Sequence, residues 1–569
     1  MVRPTFMGFE TARRALNLSQ AGLDVVGNNM ANVNTPGYTR QRATQVSVNN
    51  SFQSQFQVFG AGAHFTGQGA ALGGINQIRD PFLDTRFRNE ASNNGALAVR
   101  QAGLEDLERV IDEIAQTGLH QSMTQLISEL SRFAQNADSS EIAVVVRNSA
   151  MALTQVFNRT ANDLQSVLDQ QMFDLEVALR SDVNSAIERI AYLNERIREN
   201  NMFGSPANEL NDERNLLIDQ LSHFLPITVV RTPEKVSGDR SIERVSIVLN
   251  AGAGNPPLTL VDNSRFNTLG VTPSEDGRSS AVISLLDGAS GFPITSDITH
   301  NITGGAVRGF LDLVNGMGDF AGSGENSFRG VLYYQKNLDA IAQTFARLMN
   351  SMNSISAEDA LRAPSLNEQN RPLFSANLPT SVLENASVAP GREYTLVTAA
   401  NLTLHPNWLA ESSWLTTTKQ DASNPVPVLD EHGNPTFDAD GNQIFRTPSN
   451  TDNILNFLNL LRQDTTHFVA VNGNGQEIAL FRGTFHESFT SMQSTLGLDA
   501  GMNAAILSAS DVVLGGFHDR RDSISAVSMD EEAINMMIFQ NHYNAAARFM
   551  TVLDEALGTI IERMGTAGR

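Results

Sequence analysis

Apolar residues near the start of the chain recur at alternating steps of three and four, which predicts a helix with a narrow apolar seam. Ser19 is the only polar member of this repeat. The seam comprises Phe9, Ala12, Leu16, Ser19, Leu23, Val26, Met30 and Val33. Two apolar positions per heptad make a narrower stripe than a helix buried in a globular core usually shows. We therefore predict a coiled-coil helix that needs a partner.

The same spacing returns near the end of the chain and predicts that partner. Its members are Met536, Phe539, Tyr543, Ala546, Met550, Leu553, Leu557, Ile560 and Met564. Ser528 and Glu531 have the spacing of a capping box that starts this helix. The seams at the two ends favour an interpretation in which the two helices pair with each other and with neighbouring copies of the chain. In the alternative interpretation, they are two ordinary amphipathic helices packed inside one bundle.

The first seam runs into a turn rich in asparagine, residues 28–38, which we call the asparagine turn. Asparagine side chains satisfy backbone groups at a helix end, and Gly37 permits a positive φ. We predict that this turn and the seams form an assembly interface. The predicted interface comprises Phe9, Leu16, Leu23, Val26, Met30, Asn28, Asn29, Asn32, Asn34, Gly37, Tyr38, Phe539, Tyr543, Met550, Leu553, Leu557 and Ile560.

The middle of the chain alternates between helical and strand-like patterns. No proline lies between Pro81 and Pro206, and heptad-spaced apolar residues predict long helices there, with a turn at 136–140. A four-residue step from Leu179 to Val183, where three was due, predicts a local relaxation of the supercoil. Period-two runs between 227 and 285 predict a small antiparallel sheet. Thr484 and Glu487 have the spacing of a capping box that leads back into helix.

These patterns predict a mainly α fold with β-rich insertions. The N- and C-terminal halves would together form a long helical core, either a coiled coil or a bundle. The domains would be nested, giving a multidomain topology. We expect a terminal polymerisation domain from 1–45 and 526–569, and a rod-like helical domain from 46–226, 300–358 and 451–525. Residues 227–299 would form a small β subdomain. Residues 359–450, which hold nine of the nineteen prolines and both tryptophans, would form an outer β-rich inserted domain.

Charge and composition narrow the possible partners. The net charge of -22, from 40 basic and 62 acidic residues, opposes binding to nucleic acid or an anionic membrane. Cysteine is absent, which excludes disulfides and thiolate metal sites. There is no secretory signal pattern, so composition alone predicts a soluble cytoplasmic chain.

Catalytic motifs are missing from the sequence. It contains no P-loop, no paired-histidine zinc motif and no nucleophile elbow. Residues 438–442 begin like a calcium loop, but Ser449 stands where the twelfth-position acid is required, so a hairpin turn is favoured. The Asp212 and Arg214 pair is interpreted as a solvated helix face. We therefore predict neither an enzyme nor a cofactor or metal site.

Two distant motifs resemble one family. Residues 22–38 resemble the N-terminal signature shared by the rod, hook and hook-associated subunits of the bacterial flagellum, and the continuation through residues 38–41 resembles its hook-associated branch. Residues 529–533, with 539–543 and 545–546, are similar to the closing motif of the same family.

The resemblance implies a structural axial protein that assembles at the hook tip as the hook-filament junction and permits filament assembly. It implies export through the flagellum's own type III channel to a place outside the cell. The implied partners are further copies of the chain, a hook subunit on one side, a second junction protein on the other, and an export chaperone.

Two alternatives stay open. A hook or rod subunit shares the asparagine-rich motif, although the long proline-free middle fits those subunits less well. In a different class, residues 359–450 would carry a secreted binding module or hydrolase, for which Trp408, Trp414 and residues 438–441 are the suggestive residues.

Overall fold

A computed structural model describes most of the chain and shows a mainly helical molecule. The described residues are 5–48, 69–237, 240–250, 256–273, 281–322, 326–362, 369–378, 396–420, 426–427, 436, 443, 445–446, 450–464, 466–471 and 476–564. The prediction of a mainly α fold with β-rich insertions is confirmed. The calcium-like loop at 438–442 lies outside the described residues.

The two ends of the chain form a helix pair. Helix α1 (Thr5–Ala31) packs along α13 (Met529–Met564), and we call these two helices the terminal pair. Glycine allows a close approach here, because a Cβ on Gly22 would lie 2.5 Å from the Phe539 ring. The helices predicted at the two termini therefore meet within one chain.

A two-stranded ribbon and a series of long helices follow α1. The ribbon pairs β1 (Gln41–Ser47) with β2 (Ala70–Gln77) in antiparallel fashion. The helices are α2 (Pro81–Thr117), α3 (Leu119–Gln135), α4 (Ser140–Val177), α5 (Ser185–Phe203) and α6 (Asn208–Phe224). The Ser139 hydroxyl caps α4 by accepting from the Ile142 backbone N–H, so the predicted turn at 136–140 is present.

The four-residue step in the heptad pattern coincides with a π-helix, Ala178–Asn184, between α4 and α5. A π-helical turn accommodates an additional residue, which keeps Leu179 and Val183 on the buried side. Asn184 at the end of this segment exchanges two 2.8 Å hydrogen bonds with the backbone of Leu269. The irregularity thus ties the helical body to the neighbouring sheet.

The predicted antiparallel sheet has six strands in sequential order. They are β3 (Ile227–Ser237), β4 (Arg240–Leu249), β5 (Leu258–Asp262), β6 (Arg265–Pro273), β7 (Ala281–Asp287) and β8 (Pro293–Thr295). Ile247, Leu260 and Ile283 are fully buried and belong to the same apolar core as the helices. The sheet therefore packs on the helical body.

Helical structure then resumes and is interrupted once more by short elements. The helices are α7 (Gly305–Asn315), α8 (Val331–Asn353) and α9 (Ala357–Arg362), followed by β9 (Phe374–Ala376), β10 (Leu402–Leu404), α10 (Pro406–Ala410), β11 (Val426–Pro427) and β12 (Phe445–Arg446). Asn350 Oδ1 of α8 accepts hydrogen bonds from the backbone N–H groups of Leu373 and Phe374 at 2.8 Å. These two hydrogen bonds fix the start of β9 to the helical core.

Both tryptophans are used in packing. Trp408 is 1% exposed and lies edge to face with Phe374 at 5.6 Å between ring centroids. The Trp414 indole N–H donates to the Pro372 carbonyl at 2.9 Å, and the Arg371 guanidinium lies 4.8 Å from its ring centroid. These side chains hold residues 371–378 and 396–414 against the helices.

The chain returns to the body through α11 (Asp452–Arg462), β13 (His467–Val471) and β14 (Glu477–Arg482). Helix α12 (Phe485–Ser525) then packs mainly on α2 and leads to α13. The capping box predicted at Thr484 and Glu487 is confirmed, with both reciprocal hydrogen bonds present.

The last two long helices expose an unusual amount of apolar surface. By length and composition alone, the stretch Phe485–Ile561 is apolar enough to cross a membrane, and only 17% of its most apolar window is buried. Such a stretch is weak evidence for a membrane span. It does show that the described residues leave much apolar helix surface uncovered.

Candidate functional site

The seam of α1 is rotated relative to the predicted one. Ala12, Ser19 and Val26 are buried against α13, as the seam requires. The remaining buried positions fall on one side of the predicted stripe and are Leu18, Gly22, Val25 and Asn29. Phe9, Leu16, Leu23 and Met30 are only half-buried. The four residues form an apolar flank beside the packed face.

On α13 the predicted seam residues divide into two groups. Ala546 is buried, and the half-buried members are Met536, Phe539, Met550, Leu553 and Leu557. Tyr543 and Ile560 are 41% and 47% exposed, so the pairing with α1 leaves them largely in contact with solvent.

A second apolar stripe on α13 was missed by the sequence reasoning. Its members are Ile534, Ile538, Ala545, Phe549, Val552 and Ala556, all of them exposed. Steps of three, four and seven place these residues on one face of a helix, away from α1. The signal was present in the sequence, since this stripe has the same spacing as the seam, but the two stripes overlap along one helix. We call this set the outer stripe.

Asn29 organises the asparagine turn. Its side chain is buried and makes four hydrogen bonds. Oδ1 accepts from the Gln41 backbone N–H at 3.0 Å and from the Tyr38 hydroxyl at 2.9 Å. Nδ2 donates to the Gln41 carbonyl at 2.9 Å and to Glu532 Oε2 at 3.2 Å. One amide thus joins α1, the turn, β1 and α13.

The other predicted turn residues have local roles. Asn32 Nδ2 donates to the Asn28 carbonyl and side chain at 3.0 and 2.8 Å, and Asn32 Oδ1 accepts from Thr35. Gly37 has φ of 77°, the left-handed region that favours glycine. Asn34 is exposed at the surface of the turn.

Arg40 links the turn to the start of α13. Its backbone N–H donates to the Ser525 carbonyl at 2.8 Å, and its Nε donates to Glu532 Oε1 at 2.7 Å. A second guanidinium nitrogen pairs with Glu531. The capping box predicted for α13 is therefore only half right: the Glu531 backbone N–H faces Ser528 Oγ at 3.5 Å, but the Glu531 carboxylate accepts from Arg40.

The prediction of a solvated helix face at Asp212 and Arg214 is wrong. These α6 side chains belong to residues only 6% and 3% exposed. Asp212 accepts from the Thr39 backbone N–H at 3.2 Å and from Gln77 Nε2 at 2.7 Å. Arg214 donates to Asn194 and Asn211, and burial lowers its pKa to about 10. Sequence charge spacing fails here because the turn and ribbon, which cover α6, come from a distant part of the chain.

Tyr38 is held in its neutral form at this junction. Burial, with the negative charges of Asp212, Glu209 and Glu532, raises its pKa to about 12. The phenol therefore keeps its proton at neutral pH and donates it to Asn29.

Buried ion pairs join the neighbouring helices beneath the turn. Asp219 of α6 accepts from Arg88 of α2 at 2.7 Å and from Arg521 of α12 at 2.6 Å. Arg79 pairs with Asp84 at 3.0 Å. The end of the body that carries the terminal pair is thus cross-linked by charged hydrogen bonds, which are stronger than neutral ones.

The arrangement is suited to packing and positioning. Among the described residues, no group of three or more His, Asp or Glu side chains could hold a metal ion. Apolar stripes and a buried polar turn are the parts of a helix-pairing interface.

Comparisons with known proteins agree along the chain. The family model described as flagellar hook-associated protein FlgK helical domain matches residues 104–358. Flagella basal body rod protein matches residues 9–39, and the C-terminal model of flagellar basal body rod FlgEFG protein matches residues 521–563. The two shorter matches coincide with the terminal pair.

Relatives match over nearly the full length. The chain is 27% identical over 568 residues to flagellar hook-associated protein 1 of Bacillus subtilis, covering 99% of each chain. It is 22% identical to flagellar hook-associated protein 1 of Escherichia coli over 587 residues, covering 97% of this chain and 98% of the relative.

A solved structure shares the fold. The flagellar hook junction protein FlgK from Burkholderia pseudomallei matches with a TM-score of 0.54 at 14% identity, covering 78% of this chain and 100% of that one. The helical-domain match, the two terminal matches and the full-length relatives thus make the chain similar to flagellar hook-associated protein 1 along its length.

Proposed function

We propose that this chain is a structural axial protein of the bacterial flagellum, which forms the junction between hook and filament and permits filament assembly. The matches to flagellar family models support the flagellar role, and the similarity to full-length hook-associated relatives supports the junction. No catalytic step is part of this proposal.

The observation that carries the proposal is the apolar surface left open on both helices of the terminal pair. The outer stripe of α13 includes Ile538, Phe549 and Val552, which are 44 to 59% exposed. The half-buried flank of α1 adds Leu16 and Leu23. Exposed apolar stripes of this length favour helix pairing with further molecules. We infer that neighbouring copies of the chain cover these stripes in the assembly.

The predicted interface residues play two different roles in this proposal. Residues packed between α1 and α13, such as Val26 and Leu557, set the shape of the terminal pair. The exposed ones, such as Tyr543 and Ile560, would contact other subunits. Asn29 and Gly37 would fix the direction in which the pair leaves the body.

The outside partners follow from the family. We propose a hook subunit on one side, a second junction protein on the other, and an export chaperone before assembly. Export through the flagellar type III channel would place the chain outside the cell. The absence of cysteine is compatible with threading an unfolded chain through a channel.

We also propose that the chain is divided into four domains. We propose a terminal pair for assembly, a helical rod, and two β-rich insertions at 227–299 and 359–450. Phe374 and Trp408 would anchor the second insertion, since both pack within the helical core.

A strain that lacks the gene tests this function. Hooks and filaments would be counted by electron microscopy, and flagellin would be measured in the medium. We expect hooks without filaments and flagellin lost to the medium. Missing hooks would point to a hook or rod subunit, and normal filaments would return the binding-module alternative in residues 359–450 to consideration.

A further inference from the structure

Two buried carboxylates hold the asparagine turn and the segment after it from opposite sides. Glu532 of α13 belongs to the terminal pair, and Asp212 of α6 belongs to the helical body. Both residues are at most 6% exposed. The contacts of Asp212 with Thr39 and Gln77 therefore attach the terminal pair to the body.

The two carboxylates differ in their partners. Glu532 faces the guanidinium of Arg40, with Nε at 2.7 Å. In the part of the chain that the structure describes, Asp212 forms no ion pair within 4.0 Å, and its hydrogen-bond donors are Thr39 and Gln77, both neutral. A buried carboxylate without a cation at contact distance is costly to ionise.

The charges around Asp212 do not remove that cost. Burial is the largest influence and raises the pKa of Asp212 to about 6. The negative charge of Glu209, one turn earlier on α6, also raises the Asp212 pKa. Hydrogen bonds from Thr39 and the positive charge of Arg79 lower this pKa, and the value of about 6 is the result of all these influences. From the turn, Tyr38 presents a neutral phenol, and on α13 the charge of Glu532 is paired with Arg40.

We propose that the contact between Asp212 and the segment after the turn is a pH-sensitive joint, which holds the terminal pair to the body more firmly when Asp212 is protonated than when it is charged. Opening the joint exposes the carboxylate to water. The charged form therefore favours the open state, and the neutral form favours the closed state.

The direction of the effect follows from linkage. In the open state the Asp212 pKa returns toward its ordinary value of 3.8, whereas in the closed state it is about 6. Below the lower value both states are protonated. As the pH rises through this window the open state loses its proton first, so the closed state loses about a hundredfold in population relative to the open state. Above about pH 6 the ratio is constant again.

Amide hydrogen exchange measures this opening directly. The backbone N–H of Thr39 donates to Asp212, so it is protected while the joint is closed. The next two N–H groups, of Arg40 and Gln41, donate to Ser525 and Asn29 directly beside the joint. The protection factors of these N–H groups in the full-length chain, corrected for intrinsic exchange, would be measured between pH 4 and pH 8. We expect protection to fall by up to about a hundredfold across the window, while amides of α8 keep theirs.

Three variants complete the test. Asp212→Asn, which has no charge to gain, should give protection that does not change with pH. Glu209→Gln should move the midpoint to lower pH, because it removes a neighbouring negative charge while Asp212 remains. Asp24→Asn, a change at an exposed carboxylate of α1, should behave as the parent chain does.

Three results would overturn the joint. The first is pH-independent protection in the parent chain. The second is the same pH profile in Asp212→Asn and Glu209→Gln as in the parent. The third is a parallel loss of protection in α8, which would show global unfolding in place of a local opening.

Discussion

The helical body and the terminal pair bury their apolar residues to very different degrees. In the body, Phe157, Phe345, Phe374 and Phe485 are fully buried, and the Phe345 ring lies 4.9 to 6.5 Å from the other three. In the terminal pair, one face of each helix is covered and a second apolar face is open. The body buries its apolar residues within the chain, whereas we propose that other molecules cover the open faces of the terminal pair.

The largest effect should come from a charge on the outer stripe. Ile538→Glu should abolish incorporation into flagella and leave the melting temperature nearly unchanged, because the residue is exposed in the single chain but would be buried without a partner charge in the assembly. Incorporation would be measured by immunoblot of purified hooks and filaments. Asn544→Glu, at an exposed position on another face of α13, is the matched control.

A charged residue introduced between the two terminal helices should have an additional effect that one on the outer stripe does not have. Leu557→Glu should also block incorporation, but it should loosen α1 from α13 as well, since this side chain is half-buried in the pair. Leu23→Glu, on the half-buried flank of α1, should block incorporation and loosen the pair less. Hydrogen exchange would then rise in both terminal helices and stay low in α8. Normal incorporation of either variant would contradict the proposed role of the seam.

In the body, removal of one central ring should destabilise the whole fold. Phe345→Ala should lower the free energy of unfolding by about 3 to 5 kcal/mol, because it leaves a cavity among three aromatic neighbours. Denaturant titration followed by circular dichroism would measure the change. Phe173→Ala removes a ring that is 60% exposed and should cost far less. Equal losses in the two variants would contradict the comparison drawn above.

The polar turn should show an intermediate effect. Asn29→Ala removes the acceptor of the Gln41 N–H and the Tyr38 hydroxyl, and buried donors without partners cost about 1 to 3 kcal/mol. We expect increased exchange in residues 38–41 and a misdirected terminal pair. Asn34→Ala changes an exposed asparagine of the same turn and should leave exchange as it is.

The smallest effect concerns the approach of the two terminal helices. Gly22→Ala should weaken their pairing by about 1 to 3 kcal/mol, because the new Cβ would overlap the Phe539 ring. Gly27→Ala meets nothing within 4 Å and should stabilise α1 by up to about 1 kcal/mol through its higher helix propensity. Hydrogen exchange in α1 would distinguish the two variants, since it should become faster in Gly22→Ala and slower in Gly27→Ala. The same sign in both variants would show that packing against Phe539 is not what requires glycine at residue 22.

Sequence reasoning succeeded where structure follows from local pattern. The heptad seams predicted both terminal helices, the four-residue step marked the π-helix at 178–184, and the capping box at Thr484 and Glu487 formed as expected. Each depends on side chains within a few residues of one another, so their spacing along the chain is sufficient.

It failed where a residue's environment comes from a distant segment. Asp212 and Arg214 look like a surface pair on an amphipathic helix, but Thr39 and the ribbon residue Gln77 cover Asp212, and Asn194 of α5 accepts from the buried Arg214. Glu531 has the spacing of a capping residue, yet Arg40, 491 positions away, takes its carboxylate. The buried face of α1 differs from the predicted seam for the same reason, because the ribbon packs on this helix beside α13 and bonds to Asn29.

The sequence by itself determined the helices, their apolar faces, the asparagine turn and the family resemblance, since all of these are properties of short stretches of chain. Only the tertiary structure decided which face pairs within the molecule, which stripe stays open for assembly, and which carboxylates are buried beside the turn. Burial and electrostatic environment depend on which distant segments lie together, and residue spacing along the chain carries little information about that.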